Sequence, residues 1–317
     1  MSNPLSMQRS EKTAPNRCDF VLGAAAALTA TAVWGSWIVI TRFGVTTTIT
    51  PHDAAFLRFA IPAAILCPVL LREGLALRRI GMGKTALMVA GSGLPFFLVS
   101  SSGMQFAPAA HAGALLPGAM PLFVALLASV FERERFGGWR SAGLALIVAG
   151  IVAIGGYNLL LGAPGQWRGH LLFLTGAFLW AIYTLAFRRA GIGAWHAAAL
   201  INFYSVIAFA PIYLLTGSHL PQTPWPELVL QGVSQGLLSG VVALFAYGAA
   251  VRRLGAARAA VFISLTPVVA ALLAIPALGE WPDATTAFGI ATVSLGVALA
   301  SGAIGARRPT TASGPRT

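Results

Sequence analysis

The feature that most constrains this chain is that it states one pattern twice. Residues 110–156 contain Pro121, Glu134, Gly143, Gly150 and Gly156. At an offset of 146 residues, with no gap, stand Pro267, Glu280, Gly289, Gly296 and Gly302. The same offset takes Gly23 to Gly169, Thr29 to Thr175, Trp34 to Trp180 and Arg42 to Arg188. In an apolar chain, matches of Ala and Leu carry little. Matches of Pro, Trp, Glu, Arg and Gly at one shared offset indicate a duplicated gene, and a repeat sets the architecture before any local signal does.

Composition decides what the repeat is made of. Hydrophobic residues are 57% of the chain and charged residues 9%, against about 25% charged in a soluble domain. This is the composition of an integral membrane protein. A crossing needs about 20 mostly apolar residues, and ten such runs are expected: 19–41, 53–71, 85–105, 109–131, 139–160, 168–187, 195–215, 227–250, 256–277 and 284–304. The fold class is then all-α, with a first repeat at 19–160 (helices 1–5) and a second at 168–304 (helices 6–10). Polar tails at 1–18 and 305–317 flank them. Arg17 before an Ala-rich run imitates a signal peptide. The run to Ile40 is long enough to span, and its Trp34 has a repeat partner, so the segment is expected to be retained.

The net charge of +12 is not the footprint of a nucleic-acid binder, because the basic residues fall in short loops between apolar runs rather than on one folded face. They instead give an orientation. With the N-terminus inside, Arg9, Lys12, Arg17, Arg72, Arg78, Arg79, Lys84, Arg133, Arg135, Arg140, Arg188, Arg189, Arg252, Arg253, Arg258, Arg307, Arg308 and Arg316 all lie on the cytoplasmic side, 18 of 21. Only Arg42 and Arg168 lie outside, and Arg58 sits within helix 2. Positive residues in short loops mark the cytoplasmic face, so the expectation is N-in, C-in. Five helices per copy is an odd number, so the second copy enters the membrane upside down, giving inverted repeats.

Each copy carries a helix with a central Pro (ALLPGAMPLFVALLASVFERE; VFISLTPVVAALLAIPALGE), a Glu at its end, and a Gly-punctuated helix after it (GLALIVAGIVAIGG; GIATVSLGVALASG). A Trp-bearing first helix opens each half, with Trp34-Gly35 and Trp180-Ala181. Over about residues 19–304 this resembles the EamA-type transporters of the drug/metabolite transporter superfamily. The resemblance implies a secondary transporter with a cavity between the repeats, lined by helices 1, 3, 4, 6, 8 and 9. It therefore implies Trp34, Trp37, Ser101, Gln105, His111, Trp180, Tyr183, Tyr247 and Phe262 as substrate-binding residues. It also implies efflux more often than uptake, and a bacterial inner-membrane location.

Other chemistry is thin. Gly83-Lys84-Thr85 imitates the tail of a phosphate loop, but Arg78 stands where the motif needs Gly. No HExxH, GxSxG or paired intramembrane aspartates occur, so an enzyme is not expected, nor a cofactor. Cys18 and Cys67 fit no metal or redox spacing. The acidic residues fall at helix ends or in loops, which leaves no mid-membrane carboxylate as proton relay. Asp53 and Asp283 are expected as N-caps. Glu134 and Glu280 oppose their helix dipoles, so each should have a local partner. Arg58 is expected as a hydrogen-bond anchor near the outer side. His111, in helix 4, can change charge near neutral pH, and its repeat partner is Ala257.

Pro95, Pro117, Pro121 and Pro267 fall mid-helix, each removing a backbone hydrogen bond. The matched pair, Pro121 and Pro267, are hinge candidates. Gly143, Gly150, Gly289 and Gly296 are spaced to let helices 5 and 10 pack closely. The expected substrate is an amino acid or similar amphipathic solute, with purines, sugars or drugs as alternatives and a passive pore as the rival from another class. Coupling stays open between facilitated exchange and a proton on His111, and oligomeric state between monomer and homodimer.

Overall fold

The computed structural model describes residues 17–134 and 136–302, and the secondary structure among them is helical, without strands. The polar tails and six of the basic residues behind the orientation (Arg9, Lys12, Arg135, Arg307, Arg308 and Arg316) lie outside the described residues. The helices are α1 (Arg17–Thr47), α2 (Pro51–Ile65), α3 (Cys67–Glu73), α4 (Leu77–Ile80), α5 (Met82–Ser92), α6 (Leu94–Phe106), α7 (Ala109–Phe131), α8 (Gly138–Leu161), α9 (Gln166–Arg188), α10 (Ala194–Thr216), α11 (Trp225–Gly232), α12 (Ala243–Leu254), α13 (Ala256–Ile263), α14 (Thr266–Leu278) and α15 (Ala284–Ala300). A π-helical stretch, Val233–Val242, joins α11 to α12.

Among the described residues, eight helices are long and apolar enough to cross a membrane. Several are assembled from pieces, including Met82–Phe106, Trp225–Leu254 and Ala256–Leu278. The pair α2 and α3 bends by 54° and makes a ninth if counted as one crossing. The 17-residue α15 is apolar but short. Of the ten expected crossings, eight or nine thus qualify by length and composition, and the tenth run is helical but shorter over its described residues.

The repeat is visible in how helices end and pair. Arg133 and Gly279, 146 positions apart, both take positive φ, at 53° and 68°. Just beyond them, Glu134 N–H donates to Ala128 O and Glu280 N–H to Ala274 O, both at 3.3 Å. The same left-handed cap thus ends both helices and points a Glu out of each turn. At α8 and α15 the expected glycine packing is seen: a Cβ on Gly143 would lie 2.7 Å from Gly296 O, and one on Gly150 would lie 2.9 Å from Gly289 O. The pairing runs antiparallel and exchanges repeat-equivalent positions. An axis relating the halves must therefore lie perpendicular to these helices.

Two expectations about local structure change. Asp53 is not the N-cap of α2; Thr50 is, and Asp53 is the third helical residue of a reciprocal capping box. Its carboxylate also accepts from Tyr213 Oη (2.8 Å), Ser218 Oγ (3.0 Å) and His219 N–H (3.2 Å), tying α2 to α10 and the loop after it. Asp283 is an N-cap, accepting from Thr286 N–H at 2.7 Å. Pro95 and Pro267 are not mid-helix. Each falls in the first turn after a break, at Gly93 and at Ser264-Leu265, where a missing N–H costs little. Pro117 and Pro121 do lie inside α7, which runs unbroken past both.

Candidate functional site

Breaks and aromatic residues share the interior. At Gly93 the N–H of Leu94 donates to the buried Ser205 Oγ of α10 at 3.2 Å, so α10 supplies the partner that the broken α5–α6 crossing lacks. In the π-helical stretch Ser239 Oγ donates to Ser234 O, five residues back, at 2.8 Å. Such π turns recur at functional sites. Arg58 of α2 donates to Gln235 O (3.1 Å) and Ser239 Oγ (2.9 Å) of this stretch. It is thus the anchor expected from the sequence, and what it holds is irregular backbone.

The aromatic residues form two groups around the repeat-related tryptophans. Trp34 of α1 packs on Tyr247 of α12 at 5.7 Å between ring centroids. Trp180 of α9 packs on Phe96 of α6 at 5.3 Å and on Tyr183 at 5.1 Å. The helix pairs α1–α12 and α9–α6 are the same pair in the two repeats, although Phe96 corresponds to Val242 and Tyr247 to Ser101. Phe262 joins Tyr247 on the cluster of Ala27, Ala250, Leu254 and Ala259. Trp34, Trp180, Tyr183, Tyr247 and Phe262 are half-buried.

The remaining expected site residues lie elsewhere. Trp37 is buried, and its Nε1–H donates to Gln235 Oε1 at 2.6 Å; Gln235 in turn donates to Thr41 Oγ1 at 2.9 Å. Ser101 is fully buried, and its hydroxyl is spent on Phe97 O at 2.7 Å. Gln105 is exposed, with Nε2 3.5 Å from Val45 O. His111 is buried, 3.0 Å from His170 and 3.0 Å from Thr286 Oγ1. Sequence reasoning passed over His170, although an intramembrane His is the signal that singled out His111. It also passed over Gln235 as the centre of the Trp37 knot, which only the folded contacts show. Among the described residues, no three of His, Cys, Asp and Glu converge as metal ligands. An apolar groove of about 550 Å³ lies between Leu57 and Ile61 of α2 and Trp225 and Val229 of α11.

Ion pairs mark the two ends of the bundle differently. Where α1 finishes, Arg42 Nε meets Glu280 Oε1 at 2.9 Å, and its Nη1 donates to Met104 O. Glu280 Oε2 accepts the N–H of Ala109, the first residue of α7, at 2.7 Å. Where α9 finishes, Arg188 and Arg189 face Glu132 at 3.7 and 3.1 Å, while Glu134 turns to Arg140 at 2.6 Å.

The model of one family matches residues 21–156 and 167–302, once for each repeat, and it describes the EamA-like transporter family. The chain belongs to that family. This EamA-like chain is 26% identical over 272 residues to an uncharacterized transporter of Archaeoglobus fulgidus, covering 84% of this chain and 93% of that one. It is 23% identical to the uncharacterized transporter YyaM of Bacillus subtilis, covering 80% and 86%. A crystal structure described only as that of a protein superposes with a TM-score of 0.57 at 21% identity, over 92% of this chain and 99% of that one. That likeness speaks for the fold alone. Family membership and the apolar helices together make this a multi-pass membrane protein of the transporter class.

Proposed function

We propose that this EamA-like chain is a secondary transporter that exports a small amphipathic solute, an amino acid or similar metabolite, across a bacterial inner membrane by alternating access. The observation that carries the reading is the pair of half-buried aromatic groups around Trp34 and Trp180, set on equivalent helix pairs beside broken or π-helical crossings. Irregular backbone at membrane depth is tolerated where it lines a cavity, and transporters place their sites there. Aromatic faces beside Ser and Gln groups suit a solute with one apolar and one polar side. The proposed wall is Trp34, Trp37, Ser101, Gln105, His111, Trp180, Tyr183, Tyr247 and Phe262, and the proposed hinges are Pro121 and Pro267. Of the hinges, Pro267 adjoins a break, and Pro121 lies in continuous helix.

In this reading α2 and α3 make one crossing, and α15, about 26 Å long at 1.5 Å per residue, makes the tenth. The basic loops set both termini inside, and the two five-helix halves are inverted. The Arg42 end is then external, and its half-buried ion pair closes it. No catalytic role is assigned to any residue. Purines, sugars or drugs are alternative substrates, and a passive pore is the rival mechanism.

The test is uptake and counterflow in liposomes of purified protein, with a panel of radiolabelled amino acids. Acceleration by one solute loaded on the far side is expected. Loss of that acceleration by about five- to tenfold in Trp34→Ala and Trp180→Ala would match removal of an aromatic contact of about 1–1.4 kcal/mol. Flux that neither saturates nor shows counterflow would overturn the transporter reading in favour of a pore.

A further inference from the structure

We propose that the buried His111–His170 pair binds one proton, the coupling ion, and that this proton opens the Arg42 end of the bundle. The inference rests on the transporter reading for the statement that this end faces outward.

The pair joins the two repeats. His111 belongs to α7 and His170 to α9, with relative exposures of 4% and 5%. His111 Nδ1 lies 3.0 Å from His170 Nε2, and His111 Nε2 lies 3.0 Å from Thr286 Oγ1 of α15. Ala257 and Ala24 stand at the repeat-equivalent positions, so the duplicated scaffold does not need the pair. Neutral, the three groups form a chain in which each contact has one hydrogen. One added proton makes His111 a donor on both sides, to His170 Nε2 and to Thr286 Oγ1, and every contact survives. A second proton sets N–H against N–H and breaks the His–His contact. The geometry therefore has capacity for one proton.

The surroundings give that proton a consequence. The charged groups facing the pair are Arg42 from α1, Glu280 after α14, and Asp283 at the start of α15. On α9, Arg168 is exposed and lies over Trp167 at 5.7 Å. On α8, Arg140 lies at the far end with Glu134. The segment of α6 at this end brings Gln105 and no charge. The N-termini of α7 and α15 each count as roughly half a positive charge. Glu280 and Asp283 are each held on a backbone N–H of one of these termini. A proton on His111 puts a positive charge at a site only 4% exposed, where Asp283 attracts it and Arg42 repels it, and opening to water relieves the burial of that charge. By linkage, the open end holds the proton more tightly, and external acid favours opening.

Met104 lies under the Arg42 contact and is fully buried, so Met104→Cys reports opening. The exposed Cys18 and Cys67 are replaced by Ser, and labelling by a membrane-impermeant maleimide is followed in proteoliposomes between about pH 8 and about pH 5.5, the range of histidine chemistry. Dividing by the rate in the same background carrying His111→Gln removes the pH dependence of the thiol itself. The ratio is expected to rise about fivefold or more on acidification, the low end of typical coupling, and to stay flat when the numerator protein carries His170→Gln. A flat ratio for the His111–His170 protein overturns the proposal.

If Met104→Cys does not fold, ¹⁵N-histidine spectra of the unaltered chain decide. One protonation event shared by both rings is expected, and two independent events, or none in this range, overturn it. Neither measurement needs a substrate. A pH-responsive end without counterflow for any amino acid would count against the amino-acid reading and leave the proton site standing.

Discussion

The two ends of the bundle carry the same repeat-related charges and use them differently. At one end Arg42 and Glu280 meet at 2.9 Å with side-chain exposures of 18% and 19%. At the other, their counterparts Arg188 and Glu134 do not pair: Glu134 takes Arg140, at 31% and 35% exposure, and Arg188 faces Glu132. A duplicated sequence thus builds one closed end and one looser end. Identical halves packed by a true two-fold would be locked in a symmetric arrangement.

The comparison can be broken by removing its strongest member. Glu280→Gln strips a carboxylate from Arg42 and from the first turn of α7 at once. It is expected to cost about 2 kcal/mol in thermal or denaturant unfolding in detergent, less than the 3–5 of a fully buried pair. The swap Arg42→Glu with Glu280→Arg should recover less than half of this, because the Ala109 N–H would then face a cation. Full recovery would mean that the ion pair alone holds this end. The caps sharpen the comparison at a smaller scale. Gly279→Ala forces a side chain into positive φ and should cost about 1 kcal/mol, whereas Arg133→Gly relieves the same conformation and should stabilise by about 0.5–1 kcal/mol. The smallest effect is expected for Glu134→Gln, about 0.5 kcal/mol or less, as befits a half-exposed pair. Equal losses for Glu134→Gln and Glu280→Gln would erase the distinction between the ends.

What was legible in the sequence is what depends on period and offset. The crossing segments, the repeat and the close-packing face of Gly143, Gly150, Gly289 and Gly296 all follow from spacing along one chain, and a helix transmits spacing directly into geometry. The site was legible in part. The tryptophans announced themselves through the repeat. The expectation of a local partner for each Glu holds for Glu134, whose Arg140 is six residues away, and fails for Glu280, whose partners Arg42 and Ala109 are distant in sequence. Asp53 fitted a cap by position, yet most of its donors come from 160 or more residues away. The breaks at Gly93 and Ser264-Leu265 were not visible either, since Pro inside an apolar run reads the same whether the helix bends there or restarts.

By itself the sequence determined that this chain crosses a membrane repeatedly, that it does so in two related halves, and which faces pack closely. These are matters of hydrophobic length and of small residues at a fixed period, both local properties. Only the tertiary structure decided which charges meet, that His111 finds His170, and that Gln235 gathers Trp37 and Thr41 under a π-helical turn. The reason is physical. A buried polar group must find a partner, and in a bundle of helices the nearest partner lies across a helix interface. Its identity therefore depends on rotation and register between helices, and sequence spacing alone does not specify these.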